Sequence, residues 1–233
     1  YLTVLNPAGS SRGNRQLVYS TYLGGTGRDA AEDVVVRDAA QVTLVGLSRG
    51  DFPVTGDAYQ SELLGEQDAV VAQIKTRSGI PATTQLRYST YFGGSGRDAG
   101  NGVYLLRSGD IVVSGVAGSV DFPTTDGTAL QGTHDVFIAR LNPSKKPMKQ
   151  LASCTLFGGS GSELLSVGPV DDGFVTVYIA GDTDSEDLPG VEGSYDDTLT
   201  EPWTYLDAFV AKYHLGSMGR SHQSKATLNF RRR

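Results

Sequence analysis

One string of residues returns three times along the 233-residue chain: Tyr-Ser-Thr-Tyr-Leu-Gly-Gly-Thr-Gly-Arg-Asp from Tyr19, Tyr-Ser-Thr-Tyr-Phe-Gly-Gly-Ser-Gly-Arg-Asp from Tyr88, and Ser-Cys-Thr-Leu-Phe-Gly-Gly-Ser-Gly-Ser-Glu from Ser153. The copies start roughly 65 to 70 residues apart, and such a period marks a chain of repeated units that bury their apolar faces against one another. Two further landmarks follow each copy in constant order. One is a Pro turn, at Asp51-Phe52-Pro53, Asp121-Phe122-Pro123 and Asp187-Leu188-Pro189. The other is an apolar stretch opened by Asp, at Asp68 to Ile74, Asp135 to Leu141 and Asp207 to Tyr213.

Between glycines and Pro turn each unit has two β-branched runs, such as Val103 to Leu106 with Ile111 to Val116. Clusters of Gly, Asp, Ser and Pro separate these runs, and no segment keeps a helical apolar period over a dozen residues. The expectation is an all-β chain with four short strands per unit, the content of a propeller blade. The units are read as 19–87, 88–152 and 153–215. Residues 1–18 are the outer strands of a preceding unit, because Tyr1 to Gly9 lines up with Phe137 to Ser144, and 216–233 is a basic tail that is flexible or ordered by a partner.

The string from Gly93 to Ser144, with its glycine turn, Asp-Phe-Pro-Thr-Thr loop and closing Asp-Val-Phe-Ile-Ala-Arg-Leu strand, resembles the SBBP family of bacterial β-propeller repeats. The resemblance spans about residues 1–215. The third unit departs from it, with Cys154 and Leu156 at two landmark positions and Glu163 in place of the turn Asp. It implies β-propeller blades in an extracellular or cell-surface bacterial protein, and little enzymology.

The chain has 30 Gly, suited to many tight turns, and 39% hydrophobic residues, enough for a core. No apolar run approaches the roughly 18 residues of a membrane-spanning helix. The net charge of −6 lacks the basic footprint of a nucleic-acid binder. Cys154 is the single cysteine, so no intrachain disulfide forms; inside an apolar strand it reads as a packed small side chain.

About three blades fall short of the four to eight that usually close a propeller, and an open arc leaves apolar faces and strand edges exposed. The expected partners are therefore a protein, copies of the chain or further blades that complete the ring, with a glycan as another ligand.

Catalytic motifs are scarce. The Gly-Gly-x-Gly-x-Asp strings match a calcium-binding nonapeptide, but they recur once per unit, whereas a β-roll needs the next copy nine residues on. They read as structural turns: Gly24, Gly25 and Asp29; Gly93, Gly94 and Asp98; Gly158 and Gly159. Pro53, Pro123 and Pro189 fix the Pro loops. A phosphate-binding reading lacks the Lys-Ser/Thr and helix that should follow. Asp182, Asp184, Glu186 and Asp187 form an acidic cluster that the other units lack, a candidate calcium site as against a solvated loop. His134, His214 and His222 stand at no metal-ligand spacing.

The Pro loops vary most between units, and variable loops on a rigid scaffold are where binding usually resides. Trp203, Tyr205, Glu201, Tyr195 and Tyr59 are the candidate contacts. The expected function is a non-catalytic binding or scaffolding module. The rivals are a structural subunit of a large assembly and a polysaccharide-active propeller enzyme.

Overall fold

The alternation of apolar and polar residues between glycine-rich breaks places thirteen strands among the described residues of the computed structural model. It describes residues 1–6, 17–38, 40–171, 176–199 and 206–214, with backbone alone considered at 166, 167 and 169–171. A two-stranded sheet pairs β1 (Leu2–Leu5) with β2 (Leu17–Thr21). Sheet I joins β3 (Asp29–Asp38), β4 (Gln41–Ser48), β5 (Asp68–Lys75) and β6 (Leu86–Phe92) in that order. Sheet II repeats the meander with β7 (Asp98–Leu105), β8 (Ile111–Ala117), β9 (Asp135–Leu141) and β10 (Leu151–Phe157). Sheet III holds three: β11 (Glu163–Asp171), β12 (Thr176–Thr183) and β13 (Asp207–His214).

All pairings within these sheets are antiparallel. The chain is thus all-β, and among the described residues its sheets close neither a barrel nor a ring. The sheets are cut differently from the sequence repeats. The tyrosine-rich string that opens one repeat is the outermost strand of the sheet before it, so β6 and β10 tie each repeat to the previous one.

The sheets stack in series because the central strands of sheets I and II, β4, β5, β8 and β9, are apolar on both faces. Val45, Val71 and Phe92 of sheet I meet Val103, Val113 and Phe137 of sheet II in one buried cluster. Val112 and Ile138, on the opposite face of sheet II, meet Leu165, Ile179 and Phe209 of sheet III. Leu44, Val70 and Tyr91 turn the far face of sheet I toward Leu2 of the two-stranded sheet. Phe92 and Phe137 pack edge to face at 5.5 Å, and burying such a ring contributes about 1.5–3 kcal/mol. Asp33 of β3 reaches across the first junction to accept the Val103 N–H at 2.9 Å.

A tyrosine ties outer strand to outer strand. Tyr19 donates to Gln85 Oε1 at 2.7 Å, and Tyr88 donates to Gln150 Oε1 at 2.8 Å. Gln150 is buried, and its Nε2 donates to the carbonyls of Asp57 and Lys145.

Candidate functional site

The glycine turns and the Pro loops meet in every unit. The amide and hydroxyl of Thr26 both donate to Asp51 Oδ1, as Ser95 does to Asp121 Oδ1 and Ser160 to Asp187 Oδ1. The donated bonds hold these three exposed carboxyls below the usual aspartate range, the Thr26 hydroxyl being the largest cause at Asp51 and the Ser95 and Ser160 amides at the other two. Phe52, Phe122 and Leu188 fill the space under each loop and are buried. Pro53, Pro123 and Pro189 follow these anchors directly.

Closeness explains the second glycine of each turn. A Cβ on Gly94 would lie 2.4 Å from Asp121 Oδ1, and one on Gly159 would lie 2.5 Å from Asp187 Oδ1. Any side chain there would push the clamping carboxylate off the turn.

Behind each turn lies a second carboxylate, half-buried at Asp29 and buried at Asp98 and Glu163. Gly25 donates to Asp29 at 2.8 Å, Gly94 to Asp98 at 2.8 Å and Gly159 to Glu163 at 3.0 Å. Asp98 also accepts the Gly118 and Ser119 amides and the Ser119 hydroxyl. Glu163 accepts the Thr183 and Ser185 hydroxyls, its extra methylene making up for the departure from Asp.

The neighbouring sheet adds a partner acid. Asp68 stands beside Asp98 across Gly93, and Asp135 beside Glu163 across Gly158. All four are buried, and desolvation, as the largest cause, raises their carboxyls above the ordinary range. Asp68 accepts from Gln60 Nε2 and the Leu64 amide through Oδ2, while its Oδ1 is buried with no hydrogen-bond partner. These pairs lie buried where sheet I meets sheet II and where sheet II meets sheet III, and repulsion from the neighbouring acid adds to the rise at Asp68 and Glu163.

The acidic cluster does not converge. Asp187 clamps Ser160, Asp184 accepts the Ser162 amide at 2.5 Å, and Asp182 lies within β12, in register with Ala208. Among the described residues, no group of three or more His, Cys, Asp and Glu is placed to hold a metal. Cys154 is buried, and desolvation drives its thiol well above the ordinary range, which leaves it unreactive.

Of the aromatic candidates, Tyr59 is half-buried, with its ring 5.8 Å from that of Phe92 on β6. Tyr195 is 76% exposed. Glu201, Trp203 and Tyr205 lie outside the described residues.

Tyr195 lines a groove of about 380 Å³ between β13 and the third Pro loop, whose apolar walls include Leu188, Val191, Phe209 and Val210. Glu186, Asp196, Asp197 and Asp207 also border it.

Sequence reasoning missed the Tyr–Gln ties, the buried acid pairs and this groove. Gln85 and Gln150 each stand three residues before a copy of the repeated string, a signal that could have found the ties. In comparisons with known proteins, no family model matches the chain and no curated protein matches it.

Proposed function

We propose that the chain supplies β-propeller blades to a non-catalytic binding or scaffolding module, working at a bacterial cell surface or outside the cell. It engages a protein or glycan through the face where glycine turns and Pro loops meet. The observation that carries this reading is the clamp from Asp51, Asp121 and Asp187 to the turn in front of each, made three times with the same atoms. Such a clamp fixes variable loops on a rigid frame, the arrangement from which binding surfaces are built. The desolvated acids at the sheet junctions are read as part of the frame, not as catalytic groups.

The end sheets favour completion by further sheets of the same design, as in a larger assembly. Val34 of β3 is 48% exposed and Val210 of β13 is 44% exposed, whereas Val103 and Ile138 at the matching positions of sheet II are buried. Light scattering over a range of concentrations tests this point. A defined oligomer supports completion by copies, and a 24.7 kDa monomer moves completion to a foreign partner.

The four acids around the groove favour the polysaccharide-active reading as the second choice. Incubation with neutral and acidic polysaccharides separates the two. The first expects no release of reducing ends, and release that Asp207→Asn removes would establish the second.

A further inference from the structure

Charge is segregated along the strands of sheets I and II. The hairpin connections at one end, residues 37–41, 75–87, 105–111 and 140–150, carry nine Lys and Arg against two Asp. The connections at the other end, residues 48–68, 92–98 and 117–135, carry nine Asp and Glu against two Arg. In sequence, the stretches that run on from the hairpin ends of β1, β11 and β13, residues 7–16, 172–175 and 215–233, bring seven more Lys and Arg and one Asp. The seven-residue strands β8, β9 and β10 hold the two ends about 23 Å apart, at about 3.3 Å per residue. Physiological salt screens charges over roughly 8 Å. Each end therefore presents its own field, and the overall charge of −6 describes neither.

A hollow of about 340 Å³ lies between the hairpin connections of the two sheets, with Arg37 of β3 and Arg87 of β6 on its walls. The Arg37 guanidinium rests against the turn from β7 to β8, where a Cβ on Gly109 would stand 3.5 Å from Nη1 and Nη2. Among the described residues, neither arginine is in a salt bridge. The two Asp of these hairpins are engaged: Asp110 is buried and paired with Arg140, and Asp38 accepts the Ala40 amide at 2.8 Å. Asp57 borders the hollow as a single carboxylate against the two guanidiniums, and Gln41, Gln73 and Ser108 add amide and hydroxyl groups. Asn142 belongs both to this hollow and to one of about 140 Å³ that Lys145 and Lys149 line. Arg37, Arg87, Lys145 and Lys149 are exposed.

We infer that the hairpin end of sheets I and II binds an anionic polysaccharide, with its acid groups on Arg37, Arg87, Lys145 and Lys149 and its hydroxyls on the amides between them. A guanidinium grips an oxyanion through a two-pronged fork, and a lysine holds one as a point charge. Side-chain amides donate and accept at once, as sugar hydroxyls require. A row of cations across two sheets fits a polymer that repeats its charge, whereas a single small anion would use one hollow. The aromatic ring that lines the larger hollow, Tyr88, is buried and donates to Gln150, so a nucleic-acid base finds no stacking face there. The acidic end of a second copy is a poorer occupant, because its Asp51, Asp121 and Asp187 already accept from Thr26, Ser95 and Ser160. This surface is at the opposite end of the strands from the loop face and stands without a ligand there.

The test uses the full chain with fluorescent oligosaccharides of polygalacturonate and of chondroitin sulfate, and with uncharged dextran as the control. By polarisation near physiological salt, at least one acidic probe should bind saturably and dextran should not. Binding should weaken about tenfold or more at about 0.5 M salt. Arg37→Ala combined with Arg87→Ala should weaken it about tenfold or more, and Lys145→Ala combined with Lys149→Ala several-fold. Arg49→Ala combined with Arg97→Ala removes the same charge from the other end and should leave binding unchanged. The inference is overturned if neither acidic probe binds, if the Arg49 and Arg97 variant loses as much, or if a single-stranded DNA oligomer of equal charge binds more tightly. It is overturned too if light scattering finds a salt-sensitive oligomer that the acidic probes cannot disperse.

Discussion

Sheets II and III have the same meander, the same Pro-loop clamp and the same buried acid behind the glycine turn, yet they differ on one edge. β9 lies between β8 and β10, while among the described residues β13 pairs with β12 alone and its other side borders the groove. Ile138 is buried and Val210, its equivalent, is 44% exposed. Residue type is conserved between the two positions and burial is not. What a side chain contributes here is set by the strand and sheet laid against it.

The largest expected effect probes that difference in the core. Phe137 is fully buried among Phe92 and Phe122, so Phe137→Ala should lower stability by about 3–5 kcal/mol in urea denaturation. Phe209→Ala, beside the groove, should lower it by less. Equal losses would mean that the groove flank is as tightly packed as the interior.

The acid pairs allow a sharper contrast. Asp98→Asn sets an amide against four donors and should cost about 2–3 kcal/mol. Asp68→Asn keeps an acceptor for Gln60 and Leu64 and removes a buried charge beside Asp98. It should be neutral or stabilising at pH 7, and a loss comparable to that of Asp98→Asn would show that the Asp68 charge has a partner.

The pH dependence follows from both sets of carboxyls. The raised groups Asp68, Asp98, Asp135 and Glu163 bind protons more readily folded than unfolded, where Asp titrates near 3.8 and Glu near 4.5. Their contribution is full below those unfolded values and is lost as pH rises through the folded ones. Asp51, Asp121 and Asp187 are lowered, so their contribution is present above 3.8 and lost as pH falls through the folded values. The thermal midpoint should rise on acidification from neutrality to about pH 5 and fall again below about pH 3. A midpoint that falls steadily from pH 7 downward would contradict the buried-pair assignment.

The smallest effect is expected at the groove. Tyr195→Ser should change stability by less than about 0.5 kcal/mol, as for exposed positions generally. Tyr59→Ser, which strips the ring that rests on Phe92, should cost more. Equal effects would show that the two rings contribute alike despite their different exposure.

The all-β class and most strands were legible in the sequence, because landmarks such as Asp135 to Leu141 carry their own alternation and breaks; that stretch is β9. The assignment of strands to sheets was less so. The string from Tyr88 reads as the start of a repeat, but its ladder runs back to β5, and pairing across a repeat boundary leaves no mark in local pattern. The acidic cluster from Asp182 to Asp187 was readable as a calcium site or as a solvated loop because sequence distance hides direction; Asp187 points to Ser160 and Asp184 to Ser162. Tyr59 and Tyr195 were read alike, as they must be from sequence. Only the presence of Phe92 against one of them tells them apart.

Backbone amide hydrogen exchange in the full chain, comparing β9 with β13, tests the central claim most directly. The account predicts that amides on the groove edge of β13 exchange about a hundredfold faster or more than the β9 amides that bond to β10, with the β12-facing amides of β13 protected. Equal protection on both edges of β13 would contradict it, because a fourth strand would then already be in place.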